Sequence, residues 1–421
     1  MNRLTVAPMR RHPSPAVGTM PLMSYQPESR RPVDPHDVLA LDATLTDQER
    51  MIRDTVRMWV ANEILPHIAE WYEQGSLPAS LARDMGSLGL MGMHLDGFGT
   101  AGTSNVEYGL AARELEAGDS GIRSFMSVQG SLAMFPIWAF GSDEQKQEWL
   151  PSMASGEAIG CFGLTEPDAG SDAAAMRTTA RQVAGGDWII NGTKMWITNG
   201  DIADVAVVWA RADDGTVRGF VVPTDVSGFT ATTVKGKMSL RASNTAELAL
   251  DDVRLPAEAV LPGVASMRGP LSCLSEARYG IVWGVSGAAR TCYETALGYA
   301  KDRSAFGGPI ARLQLTQQRL VEMMVRVQKA NLLALHLGRM KDAGTLSPVQ
   351  VSFGKMDNVR EAMWVAREAR ALLGANGITL DYAPIRHMMN LESVYTYEGT
   401  NEIHQLILGQ AITGYNAFGE E

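Results

Sequence analysis

The sequence predicts a mainly α-helical protein with a central β domain, and three observations carry that fold class. Apolar residues recur at three- and four-residue spacing from Asp42 to about Phe140, as in Met51, Val56, Trp59 and Val60, the period of a helix with one buried face. Between roughly Ser155 and Pro262 the pattern changes to short β-rich runs separated by turn residues. From Gly263 onward long helical periodicity returns. These shifts predict an N-terminal helical domain over residues 42–154, a middle β domain over 155–262 and a C-terminal helical bundle over 263–421, after an extension over 1–41.

The extension is set apart by composition. Arg3, Arg10, Arg11, Arg30 and Arg31 are interspersed with Pro13, Pro15, Pro21, Pro27, Pro32 and Pro35, and the first acid is Glu28. Prolines so placed break a long amphipathic helix, so an unstructured bacterial extension or a misplaced start codon is expected. A mitochondrial targeting signal, which is also Arg-rich and acid-poor, is the alternative. The first reading places the protein in a bacterial cytoplasm, the second in the mitochondrial matrix.

In the first helical block Gly97, Gly99 and Gly102 spell GxGxxG, and a helical stretch with Glu116 follows. A dinucleotide fold needs a strand on each side of that helix; only the short Leu90–Leu95 segment precedes it and none arrives after, so a plain loop is expected. The β block contains the runs Trp188–Ile190, Met195–Ile197, Val205–Trp209 and Gly219–Val222. Asn191-Gly192 and Asp214-Gly215 read as tight hairpin turns because they tolerate positive φ. In the last block, Leu320, Met323, Met324 and Val327 share one helical face.

Composition narrows the function. A net charge of -10, from 47 acidic and 37 basic residues, provides no basic field for nucleic acid or an anionic membrane. No apolar run reaches the roughly 18 residues of a membrane span. Cys161, Cys273 and Cys292 are too scattered for a zinc site or a disulfide framework, and no His-x-x-x-His or His-Glu-x-x-His pattern occurs, so no metal is expected.

The most informative segment is Tyr395-Thr396-Tyr397-Glu398-Gly399-Thr400-Asn401-Glu402-Ile403-His404. A carboxylate stands on a loop, beside a glycine and a helix-capping Thr-Asn pair, before the periodic Ile403, Leu406, Ile407 and Leu408. Glycine permits close approach of a planar ligand, and a helix N-terminus offers free N–H groups to phosphate. On physics alone an ordinary capped surface helix is an equal reading.

This segment resembles the catalytic-base signature of the acyl-CoA dehydrogenase family, and the similarity runs from about Asp42 to Phe418. Cys161 to Pro167 with Gly170-Ser171-Asp172, Trp196 to Asn199, Asp302-Arg303 with Phe306-Gly307, and Leu372 to Gly377 follow in the family's order. Asp119 to Ser124 and the stretch from Gly399 to Phe418 are most similar to glutaryl-CoA dehydrogenases. The resemblance implies the acyl-CoA dehydrogenase fold, with helical end domains, a small antiparallel β-barrel and a four-helix bundle. It also implies FAD as cofactor, an acyl-CoA substrate, an electron-transfer flavoprotein as acceptor and a homo-oligomer, a tetramer.

It further implies residue roles. Glu398 is the base for the α-proton, and its N–H together with a ribityl hydroxyl holds the thioester oxygen. Phe162, Gly163, Leu164, Thr165, Gly170, Ser171, Trp196, Ile197 and Thr198 line the isoalloxazine. Arg303, Phe306, Gln314, Ala371, Leu372, Leu373, Gly374 and Ala375 contact the adenine dinucleotide part across subunits. Thr400, Asn401, Glu402 and Phe418 complete the cofactor set. Ser171, Leu271, Arg278, Tyr397 and Gly399 face the CoA ester, while Arg123, with Glu116 and Ser124, takes a distal carboxylate. The base chemistry asks for a raised carboxyl pKa, which burial supplies.

Some relatives carry the base in the helix near Arg278, but that position is Ala277, and Glu276 would point about 100° away. Two departures bear on the substrate. Ile122 stands where a tyrosine is expected, and Asn401-Glu402 replaces His-Asp. The expectation is therefore dehydrogenation of glutaryl-CoA with decarboxylation to crotonyl-CoA and CO2. Its alternative is another short-chain or dicarboxylyl acyl-CoA without decarboxylation.

Overall fold

The computed structural model describes residues 33–417. Most of the expected extension, residues 1–32, lies outside the described residues, as does Phe418. Its inner end, residues 36–41, belongs with the main compact unit of the chain. There Asp37 accepts the Leu41 N–H at 2.8 Å and Gln328 donates to the His36 carbonyl at 2.9 Å, so residues 36–41 are part of the fold.

The helical block comprises α1 (Asp47–Trp59), α2 (Ile68–Gln74), α3 (Leu81–Ser87), α4 (Asn105–Gly118), α5 (Ser120–Ser127), α6 (Phe135–Phe140) and α7 (Asp143–Ala154). Reciprocal capping boxes, Thr46 with Glu49, Ser104 with Glu107 and Ser142 with Gln145, open α1, α4 and α7. Residues 106–118 of α4 are buried on every face. Gly109 makes this possible, since a Cβ there would lie 2.3 Å from the Trp283 ring. Gly97, Gly99 and Gly102 all have positive φ and form turns ahead of α4, as expected of a loop with no strand before it.

Seven strands follow: β1 (Gly160–Gly163), β2 (Thr179–Gln182), β3 (Trp188–Thr198), β4 (Val205–Ala212), β5 (Val217–Pro223), β6 (Phe229–Thr233) and β7 (Thr245–Leu255). The β2–β3, β3–β7, β4–β5 and β6–β7 pairs are antiparallel, but β1 and β2 both run parallel to β4, so the sheet is mixed rather than wholly antiparallel. The cause is the turn after β3, which returns the chain to Ile159, whose carbonyl accepts the Asp204 and Val205 N–H groups. Along the path from β5 to β6 no pairing closes the sheet into a barrel among the described strands.

Asp214-Gly215 does turn β4 into β5, with Gly215 at φ 80. Asn191-Gly192 does not make a hairpin: it lies inside β3, at a register shift against β7. The apolar runs on either side fuse into one strand, and Asn191 is occupied sideways by Asp252, at 2.8 and 2.9 Å. Gly192 is needed there because a Cβ would fall 2.3 Å from the Thr178 hydroxyl.

The last block holds α8 (Arg268–Asp302), a hairpin of β8 (Ser304–Ala305) and β9 (Gly308–Pro309), α9 (Gln314–Asp342), α10 (Pro348–Leu372), α11 (Ala383–Thr396) and α12 (Asn401–Thr413). α10 packs on α8, α9, α11 and α12. It therefore lies beneath the loop between α11 and α12, where Glu398 sits.

Candidate active site

α11 stops at Thr396, and two residues in the left-handed region follow, Glu398 at φ 56 and Gly399 at φ 90. Such a conformation costs a non-glycine residue on the order of 1 kcal/mol or more. Thr400 then caps α12, its hydroxyl accepting the Ile403 N–H at 3.3 Å. Gly399 is wedged: a Cβ there would lie 3.1 Å from His404 Nε2 and 3.2 Å from an Arg278 guanidinium nitrogen.

Two cations brace this loop through its carbonyls. Arg278 Nε donates to Glu398 O at 2.6 Å, and Lys355 Nζ donates to Tyr397 O at 2.7 Å and Gly399 O at 2.6 Å. The Glu398 carboxyl receives none of these donors. The residue is half-buried, yet its Oε2 is sealed from solvent and has no hydrogen-bond partner. Burial raises its pKa, against the opposing pull of Arg278, Lys355 and Arg123. A carboxylate poised this way is a proton acceptor of enhanced basicity.

Beside it stands a second buried cluster. Arg123 on α5 is 2% exposed; its Nε donates to Glu116 Oε2 at 2.7 Å and a terminal nitrogen donates to the Tyr397 hydroxyl. Ser120 donates to the other Glu116 oxygen at 2.8 Å, and the Ser124 hydroxyl lies 3.4 Å from that of Tyr397. Burial opposes the charge on Arg123, but Glu116 and Tyr397 outweigh it and hold the guanidinium firmly protonated. Gly284 on α8 leaves room for this pair, because a Cβ there would approach Glu116 Oε2 to 2.1 Å.

Asp119 caps α5, accepting the Gly121 N–H at 2.7 Å, while its other oxygen takes Arg386 at 2.5 Å and Asn390 at 2.8 Å. Gly121 admits the Ala242 carbonyl, 1.7 Å from where a Cβ would sit, and Ile122 is wholly buried behind it.

On the β side, the Thr165 carbonyl accepts the Met195 N–H at 2.9 Å, which sets Leu164–Thr165 against Trp196. Trp196 occupies a bulge of β3 at φ 65 and is 58% exposed, with Ile197 buried and Thr198 half-buried after it. Phe162, Gly163 and Leu164 are buried, whereas Gly170 and Ser171 are exposed on the loop beyond them. Beneath the segment, Lys194 Nζ bonds Leu164 O at 3.1 Å and Glu166 at 2.8 Å.

The remaining expected residues lie elsewhere. Arg303, Phe306 and Gln314 are exposed around the β8–β9 hairpin, with Phe306 at φ 50. Ala371 and Leu372 end α10, Leu373 is buried, and Gly374 and Ala375 are exposed. Among the described residues no hydrogen bond or ion pair joins these two groups to the Glu398 cluster. Asn401 is buried and accepts from Arg360 Nε at 2.8 Å, while Glu402 is exposed. Leu271 is exposed on α8, two turns before Arg278. Glu276 on α8 is tied to Lys341 at 2.8 Å, and the neighbouring Ala277 is buried.

Sequence reasoning missed Lys355, Lys194 and His404. For Lys355 a signal existed: it interrupts the apolar face formed by Val351, Val359, Ala362 and Ala366 at helical spacing, where a lysine is costly unless it has work to do. His404, whose ring nitrogens are buried without partners, left no comparable mark.

Comparison with known proteins gives the family of the chain. Three profiles match in order: acyl-CoA dehydrogenase N-terminal domain at residues 46–157, middle domain at 161–253 and C-terminal domain at 267–413. The human mitochondrial short-chain specific acyl-CoA dehydrogenase is 34% identical over 381 residues, 89% of this chain and 92% of that protein. A crystal structure of glutaryl-CoA dehydrogenase from Mycobacterium smegmatis is 64% identical with TM-score 0.90, covering 91% of this chain and 99% of that one. A glutaryl-CoA dehydrogenase of the same organism in complex with FADH2 is 58% identical, with the same TM-score of 0.90 and the same coverage of 91% and 99%. A half-buried glutamate with one sealed, unpartnered oxygen on a strained loop and an exposed tryptophan on the β side thus stand in a chain that belongs to the acyl-CoA dehydrogenase family.

Proposed function

We propose that this acyl-CoA dehydrogenase oxidises glutaryl-CoA and decarboxylates it to crotonyl-CoA and CO2. The observation that carries the reading is Arg123, a buried guanidinium bonded to the residue next to Glu398. A guanidinium carries more N–H groups than its contacts to Glu116 and Tyr397 use, so donors remain for a substrate carboxylate. A plain acyl chain offers such a cation nothing.

FAD is the cofactor, and the exposed face of Trp196 at a strained bulge beside Thr165 and Thr198 suits a flat heterocycle with a polar edge. When bound, FAD supplies the two-electron acceptor for the β-hydride. Phe162 to Thr165, Gly170, Ser171 and Trp196 to Thr198 hold its ring. Arg303, Phe306, Gln314, Ala371 to Ala375 and Thr400 to Glu402 serve the dinucleotide across a subunit contact in a homotetramer.

Glu398 takes the α-proton. Leu271, Ser171 and Arg278 flank the CoA ester, Gly399 keeps the loop close to it, and Arg123, Glu116, Ser124 and Tyr397 fix the far carboxylate. Loss of CO2 then leaves a dienolate that protonated Glu398 reprotonates. Electrons leave to an electron-transfer flavoprotein.

A second reading has its own observation: Glu116 already balances Arg123, so a neutral short acyl chain meets no unpaired charge. The test is flavin bleaching by glutaryl-CoA and butyryl-CoA with CO2 detection. Faster bleaching by glutaryl-CoA, with CO2, is expected; preference for butyryl-CoA, or oxidation without CO2, sinks the first reading.

A further inference from the structure

Lys355, one of the two cations that brace the loop of Glu398, has no part in the chemistry described so far. Lys355 is 1% exposed, on the face of α10 beneath the loop. Its Nζ lies within 2.7 Å of two carbonyl oxygens, Tyr397 O and Gly399 O, which bracket the base. The chain between two oxygens gathered on one nitrogen must fold tightly, and φ values of 56 and 90 at Glu398 and Gly399 do this. With Arg278 on Glu398 O at 2.6 Å, three successive carbonyls are drawn to cations.

A planar trans peptide points its N–H opposite to its C=O, and the described chain has no cis bond. Drawing the Tyr397 carbonyl down onto Lys355 therefore turns the Glu398 N–H away from α10. The backbone's own preference works against this, because a left-handed glutamate relaxes at a gain of the order of 1 kcal/mol or more, and Arg278 holds only the Glu398 carbonyl, not that of Tyr397. Burial, opposed by Glu398 and helped by Arg278 and Arg123, brings Lys355 down to about 7. An amine in either charge state keeps the two N–H bonds that the carbonyls use.

We propose that Lys355 is a positioning residue that aims the Glu398 N–H at the thioester carbonyl of the substrate. This rests on the reading of Glu398 as the base of an acyl-CoA dehydrogenase. The flavin-loaded, full-length Lys355→Met and Lys355→Gln variants test it, through FAD content, single-turnover bleaching by the better of the two acyl-CoAs, and the carbonyl stretching frequency of bound crotonyl-CoA.

Lys355→Met is expected to retain FAD, to bleach on the order of 100-fold more slowly, as for loss of an oxyanion donor, and to lose most of the carbonyl red shift that wild type imposes on the ligand. Lys355→Gln, whose shorter amide reaches one carbonyl, should fall between. A wild-type red shift in Lys355→Met overturns the proposal; should that variant not hold flavin, a wild-type shift in Lys355→Gln does so. Failure of the underlying reading looks different: Glu398→Gln would still bleach.

Discussion

A buried glutamate and a half-buried one, alike in chemistry, face opposite treatment. Glu114 on α4 is 1% exposed and meets Arg57 at 3.0 Å, Arg113 at 3.1 Å and Arg290 at 2.6 Å, all donating to its carboxylate. Burial opposes its charge, but Arg290 and Arg113 outweigh this and hold its pKa well below the usual range. Glu398 also has cations close by, yet Arg278 and Lys355 spend their donors on backbone oxygens and leave Oε2 bare. The difference teaches that proximity of charge does not make a carboxylate structural; the direction of the donors does.

The largest expected effect breaks the comparison at its reactive member. Glu398→Gln should keep its fold and flavin while bleaching by substrate slows about 1,000-fold or more, measured by stopped-flow absorbance; near-normal turnover would remove Glu398 as the base. Next comes the structural member. Glu114→Gln strands two buried arginines, Arg113 and Arg290, and should lower unfolding free energy by about 3–5 kcal/mol, seen in denaturant titration, with bleaching per flavin nearly unchanged.

A smaller effect separates the two acyl-CoA readings. Arg123→Met should cut the preference for glutaryl-CoA over butyryl-CoA by on the order of 10- to 100-fold; an unaltered ratio means the guanidinium does not meet the substrate.

The smallest concerns pH. The raised folded-state pKa of Glu398 means the native state binds its proton more tightly, so its contribution to stability falls as pH rises from 4.5 through the folded value. Glu398→Gln should therefore melt higher than wild type at pH 7, with the gap closing below pH 4.5, as read by thermal unfolding at the two pH values. Glu114 has the opposite sign: its contribution is present above 4.5 and is lost as pH falls. Wild-type bleaching should rise with pH as Glu398 deprotonates.

The same contrast shows which features the sequence made legible. Helical blocks and the Val205–Trp209 and Gly219–Val222 strands could be read because burial imposes a period on neighbours in the chain. Asn191-Gly192 misled, since its turn chemistry was overruled by Thr178 and Asp252, which are distant in sequence. The loop of Glu398 was readable from Gly399 and Thr400, but its bracing by Lys355 comes from 42 residues away, and a donor's aim is not written in spacing. Arg123 could be singled out only by resemblance; its burial against Glu116 arises where α4, α5 and α8 meet.

The bare Cα at 284 has a practical corollary. One added methyl would lie 2.1 Å from Glu116 Oε2 and 3.2 Å from Arg123 Nε, so it would drive the carboxylate off its arginine partner and leave a buried positive charge unbalanced. Position 284 thus governs how the Glu116–Arg123 pair is held without carrying a functional group of its own, and a library aimed at new thioesters should vary it together with 116.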